Sequence, residues 1–211
     1  MGKYIFIFDI GNVLINFNLS MLIKKISENS EITYNQLWND WKPDLLVKVE
    51  SGEIDQNEFY TQFANSIKLE WSFDELVFNW SNIYTINKFG WKIFYSLVKR
   101  DQKIYILSNL AQFNVKAIEM KYPRFFSYSV SNFFSFELGF SKPNPIIYKK
   151  VLSIIDQPPE HCFFFDDSIE NVKGALKAGI NAIHFIPRYY PKIKELISDI
   201  LNNNNTNYQA I

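Results

Sequence analysis

The sequence predicts an α/β protein with a parallel sheet and helices on both of its faces. Two observations predict it. Continuous apolar, β-favouring runs at 4–8, 103–107 and 162–165 read as strands buried on both sides. Segments with apolar residues at helical spacing alternate with these runs, which is the pattern of a parallel sheet with crossover helices.

The first strand stops at Asp9 and passes into the turn signal Gly11-Asn12. The stretch 17–85 reads differently from the rest. Helical spacing is found over 19–26, 35–41, 55–67 and 73–83, and no strong strand pattern interrupts it. Asp55 with Glu58, and Ser72 with Glu75, have the spacing of helix N-caps and their partners. The alternation then resumes with a helix at 87–99, the strand 103–107, a helix at about 113–121 and a short strand near 127–131. A polar loop with Ser141-Lys142-Pro143 leads to a helix at 145–155 and the strand 162–165. A helix at 169–178 ending on Gly179, a strand at 182–186 and a helix at 191–201 close the chain. The expected organisation is therefore a Rossmann-like core at 1–16 and 86–201, a small helical cap inserted after the first strand at 17–85, and a low-complexity, disordered tail at 202–211.

Composition narrows the function classes. Lys plus Arg equals Asp plus Glu at 22 each, so no overall charge draws the chain to nucleic acid or to an anionic membrane. No apolar run has transmembrane length, and the run 4–8 is cut by Asp9 too early for a secretory signal, so a cytoplasmic location is expected. The single cysteine, Cys162, has no partner for an internal disulfide. His161 and His184 lie far apart and form no metal-binding pair.

In open parallel sheets, ligands bind beyond the carboxyl ends of the strands. The residues there are Asp9, Ser108-Asn109 and Asp166-Asp167, with Lys142 in an adjoining loop. Each alone is an ordinary cap or turn residue. Together they suit a phosphate monoester. Aspartates can hold magnesium, a lysine can neutralise phosphate charge, and a hydroxyl with nearby amides can donate to phosphate oxygens. A carboxylate can also attack phosphorus to give an acyl phosphate.

These residues resemble the four motifs of the haloacid dehalogenase superfamily. The first is similar to Phe6-Ile7-Phe8-Asp9-Ile10-Gly11-Asn12-Val13-Leu14, the second to Ile106-Leu107-Ser108-Asn109. The third is similar to Gly139-Phe140-Ser141-Lys142-Pro143, the fourth to Phe164-Phe165-Asp166-Asp167-Ser168 with Asn171 and Gly174-Ala175. The resemblance implies a Mg2+-dependent phosphatase acting on a small phosphorylated metabolite. It implies Asp9 as nucleophile and metal ligand, the Gly11 carbonyl, Asp166 and Asp167 as further metal ligands, and Ser108, Asn109 and Lys142 as phosphate-binding groups. The pattern Asp9-Ile10-Gly11-Asn12-Val13, with Glu50-Ser51-Gly52-Glu53-Ile54 in the cap, resembles a subgroup that includes bacterial α-D-glucose-1-phosphate phosphatases. A dehalogenase of the superfamily needs no metal, so the paired Asp166-Asp167 favours the phosphatase.

One position departs from the pattern. Most phosphatases of the superfamily carry an acid/base aspartate two residues after the nucleophile, and here Gly11 stands there. Losing a general acid typically removes roughly a hundredfold to ten-thousandfold in rate. Gly11 therefore keeps open a second expectation, a phosphate-ligand binding or regulatory module with weak or no turnover, and it weighs against a mutase. In the cap, Trp38, Trp41, Glu53 and Tyr60 are candidates for substrate contact, with cap packing the alternative for each.

Overall fold

The computed structural model describes residues 4–40 and 43–202. The chain begins with strand β1 (Ile5–Phe8), passes through the short β2 (Ile15–Phe17), and enters five helices: α1 (Leu19–Ser27), α2 (Tyr34–Asp40), α3 (Pro43–Glu50), α4 (Gln56–Ile67) and α5 (Phe73–Asn82). It returns through β3 (Tyr84–Ile86) to α6 (Lys88–Val98), β4 (Lys103–Ser108) and α7 (Gln112–Lys121). Then come β5 (Ser131–Phe134), α8 (Ser135–Leu138), α9 (Pro145–Ile155), β6 (Cys162–Asp166), α10 (Ile169–Lys177), β7 (Asn181–His184) and α11 (Tyr190–Leu201).

Five strands form one sheet in the order β5-β4-β1-β6-β7, and every pairing in it is parallel. This is the Rossmann-like sheet the sequence predicts. The period-2 alternation of each strand divides its side chains between two cores. Phe6, Phe8, Ile104, Ile106, Phe163 and Phe165 face one core, which α6, α7 and α11 cover. Ile5, Ile7, Tyr105, Leu107 and Phe164 face the other, which α9 and α10 cover. Burying one such side chain contributes roughly 1.5–3 kcal/mol, so these few strand residues carry much of the drive to fold.

The five helices of the insertion share the first of these cores. Phe59 of α4 stacks on Phe113 of α7 with ring centroids 4.9 Å apart, and Trp80 of α5 meets the same ring edge-on at 4.9 Å. Local signals start two of the helices. The Asp55 side chain accepts from the amides of Asn57 and Glu58, and Ser72 with Glu75 forms a complete capping box.

Several elements differ from the sequence expectation. Strands β2 and β3 pair antiparallel, Ile15 opposite Ile86, across the ends of the insertion. At three residues each, they carry too little alternation to be read from sequence. The strand expected near 127–131 is displaced to Ser131–Phe134, because 125–128 forms a 3-10 turn that buries Phe125 and Phe126. Helix α3 has no counterpart among the segments expected to be helical. The tail from 203 onward and Trp41 lie outside the described residues. Among the described residues, no helix is long and apolar enough to cross a membrane.

Candidate active site

Register places the site. Phe8 pairs with Ile106 on one side and with Phe165 on the other, so the ends of β1, β4 and β6 lie within two residues of one another. The Asp9 amide extends the ladder by donating to the Phe165 carbonyl at 2.9 Å. Asp9 thus leaves the sheet beside Ser108 and Asp166, the last residues of β4 and β6.

Lys142 is the hub of the cluster. Its Nζ lies 2.8 Å from Asp9 Oδ1 and 2.6 Å from Asp166 Oδ2, and it donates to the Leu107 carbonyl at 3.1 Å. The Ser108 hydroxyl donates to the same Asp9 Oδ1 at 2.7 Å. Asn109 holds Lys142 by its backbone. The Asn109 Oδ1 accepts from the Lys142 amide at 2.8 Å, and its Nδ2 donates to the Lys142 carbonyl at 2.9 Å.

Asp166 and Asp167 occupy different environments although adjacent. Asp166 is fully buried. Its two oxygens accept from Lys142, from the Ser168 amide and twice from Asn171 Nδ2. Those three donor groups fix the orientation of the carboxylate. Asp167 is half-buried and borders the cavity, where its Oδ2 accepts from Asn12 Nδ2 at 2.8 Å.

One oxygen from each of Asp9, Asp166 and Asp167 lies within 4.8 Å of the others, a spacing that suits shared ligation of one cation. The charges agree with that reading. Three carboxylates and one ammonium leave a formal charge of −2. Burial pushes the Asp9 carboxyl up to about 6, Lys142 opposes the shift, and repulsion from Asp166 adds to it. Burial also raises the Asp167 carboxyl. Burial works against the Lys142 ammonium, but Asp166 and Asp9 together outweigh it and its pKa is raised. Lys142 therefore stays charged, and the carboxylates carry the excess that a divalent cation would neutralise.

The cluster opens into a cavity of about 280 Å³. Its floor holds Asp9, Gly11, Ser108, Asn109, Lys142 and Asp167. Its opposite wall is largely apolar and comes from the insertion and the ribbon at its ends, through Phe17, Leu46, Trp80 and Tyr84. One acidic group interrupts that wall, Glu50, the last residue of α3. Burial pushes the Glu50 carboxyl up to about 7, Asp9 adds to the shift, and Lys142 opposes it.

All seven residues singled out from the sequence thus gather in one place. Six line the cavity; Asp166 stands behind them as the support of Lys142. Of the cap candidates, Trp38, Glu53 and Tyr60 do not line it. Trp38 is exposed against Tyr34, Glu53 pairs with Lys48, and Tyr60 donates to the Trp71 carbonyl. Glu50, Asn12 and Asn171 are polar cavity residues to which the sequence alone assigns no role.

A family model for haloacid dehalogenase-like hydrolases matches residues 5–179. Among solved structures, a HAD family enzyme of Bacteroides thetaiotaomicron superposes with a TM-score of 0.75 at 22% identity, over 86% of this chain and 93% of that one. The same enzyme is known in complex with magnesium and inorganic phosphate, with a TM-score of 0.75 at 23% identity and the same coverage. A predicted HAD-like family hydrolase from Porphyromonas gingivalis reaches a TM-score of 0.74 at 22% identity, over 92% of this chain and 97% of that one.

Proposed function

The chain belongs to the haloacid dehalogenase-like hydrolases, and on that premise we propose that it is a Mg2+-dependent phosphatase of small phosphorylated metabolites. The observation that carries the proposal is the Asp9–Lys142–Asp166 cluster with Asp167 beside it, a formal −2 centre at the floor of a small cavity. A volume of about 280 Å³ suits a small ester rather than a polymer. The Bacteroides enzyme's complex with magnesium and phosphate supports the same chemistry.

Asp9 attacks phosphorus, the bond to the leaving oxygen breaks, and an aspartyl phosphate forms; water then cleaves it to phosphate and free Asp9. Ser108 and Lys142 both engage Asp9 Oδ1, so Oδ2 is the attacking oxygen. Lys142 and Ser108 also stand where they can donate to the phosphoryl oxygens. Asp9, Asp166, Asp167 and the Gly11 carbonyl would hold the metal, and Asp166 also holds Lys142 in place. Bound magnesium supplies charge neutralisation and polarisation of phosphate oxygens. The helices between β2 and β3 act as a cap whose apolar wall meets the body of the substrate. The sequence likeness to glucose-1-phosphate phosphatases makes sugar phosphates the first substrates to try.

Phosphate release from a panel of small esters, α-glucose 1-phosphate included, tests the proposal with magnesium and with excess chelator. Metal-dependent release that vanishes in Asp9→Asn supports it. A folded wild-type protein that binds magnesium and releases phosphate from no ester favours the binding-module reading that Gly11 keeps open.

A further inference from the structure

The position of Gly11 leaves both a chemical gap and physical space. A Cβ built there lies 3.5 Å from the Phe17 ring and 3.9 Å from Asp9 Oδ2, which are ordinary contact distances. Neither packing nor a left-handed backbone requires glycine. The floor of the cavity is therefore open beside Asp9 Oδ2, with no carboxylate at position 11.

An acid faces that space from the other wall. We propose that Glu50, supplied by the helical insertion, is the acid/base residue of phosphoryl transfer in this protein, in place of a carboxylate at position 11. The proposal rests on the phosphatase reading and deepens it.

Three observations support the assignment. Glu50 lines the same cavity as Asp9, Gly11 and Lys142. Among the described residues, the charged groups that act on its carboxyl are Asp9 and Lys142, the nucleophile and its partner, and Glu50 in turn acts on Tyr84 of β3 in the same wall. Its placement is also anchored. The Ser135 hydroxyl, at the start of α8, donates a hydrogen bond to the Glu50 carbonyl. Two residues on, Gly52 has a φ of +75°, and a Cβ there would lie 2.6 Å from the Phe136 carbonyl oxygen. The end of α3 is thus pressed against the sheet-bearing part of the chain at Ser135 and Phe136, next to the cavity. Burial pushes the carboxyl up to about 7, the range in which one group can both give and take a proton near neutral pH.

The proton balance closes. As Asp9 attacks phosphorus, the P–O bond to the leaving group breaks and the leaving oxygen takes the Glu50 proton. The Glu50 carboxylate then takes a proton from the water that attacks the aspartyl phosphate. The P–O bond to Asp9 breaks, phosphate leaves, and Glu50 is protonated again.

The test compares wild type, Glu50→Gln and the double variant Glu50→Gln with Gly11→Asp on an aryl and an alkyl phosphate. An aryl leaving group needs no proton; an alkyl one does. Expected for Glu50→Gln is a loss of kcat of about a hundredfold or more on the alkyl ester. On the aryl ester, a burst of about one phenol per enzyme is expected, because dephosphorylation has lost its base. The added Gly11→Asp is expected to recover turnover of the alkyl ester. Wild-type turnover of the alkyl ester by folded Glu50→Gln, or equal losses on both esters without a burst, overturns the assignment while the phosphatase reading stands. Should the Gln variant not fold, Glu50→Asp carries the same comparison. A wild type inert on both esters overturns the phosphatase reading itself, and with it this one.

Discussion

Asn109 grips Lys142 at both backbone groups, accepting from its amide at 2.8 Å and donating to its carbonyl at 2.9 Å. The amide side chain sets the course of the loop that carries Lys142. Asn109→Ala strands both groups of Lys142 and frees the loop. The expected result is a loss of about 1–3 kcal/mol in stability and at least a tenfold fall in phosphate release. Urea titration and initial rates read the two effects. Unchanged rates would show that Lys142 holds its position without the clasp.

Lys142→Met should be the most damaging substitution in the core of the site. The ammonium and Asp166 are almost wholly buried, and Asp9 nearly so. Removing the lysine leaves two carboxylates without their cation, for which about 3–5 kcal/mol is the expected cost at pH 7. Protonation relieves unpaired carboxylates, so the deficit should shrink at pH 5. Equal deficits at the two pH values would contradict this account.

Metal-free protein should lose stability as pH rises through the window of about 4 to 7. Asp9 is pushed up to about 6 and Glu50 up to about 7, both above the ordinary carboxyl value of about 4. Between those values the folded protein binds more protons than the unfolded chain, and stability then falls with rising pH. The melting temperature in chelator should drop by on the order of 5 °C between pH 5 and pH 7.5. Magnesium should remove much of the drop, because it binds the ionised carboxylates. Thermal scans across that range check the sign, and a rise with pH would refute it.

Gly52→Ala should disturb the site from outside the cavity. The position combines a positive φ with a carbonyl where the new methyl must go. A loss of about 1–3 kcal/mol is expected from the backbone alone. Because Gly52 lies two residues from Glu50, turnover of alkyl phosphates should fall more than turnover of aryl phosphates. The ratio of the two rates measures it.

Residues fixed by strand ends are legible in the sequence. Asp9, Ser108 and Asp166 each terminate an apolar run, and a parallel register brings those ends to the same edge of the sheet. Lys142 is legible through its motif alone. What sequence does not show depends on packing between distant segments. Glu50 reaches the cavity because α3 is docked at Ser135, 85 residues on. Its motif marks Asn109 as a phosphate-binding residue, but that its side chain also clasps Lys142 shows only in the structure. The β2–β3 ribbon is invisible because each strand needs the other across the whole insertion.

The ring of Phe113 stands on α7, outside the insertion, yet Phe59 and Trp80 close on it from two sides. The insertion therefore has no seam along which it can be lifted away intact. Redesigning substrate preference by grafting helices from another protein between β2 and β3 would strand that ring against foreign side chains. The unit of exchange is the five helices together with position 113, and a graft that rebuilds both sides of the contact is the one that should fold.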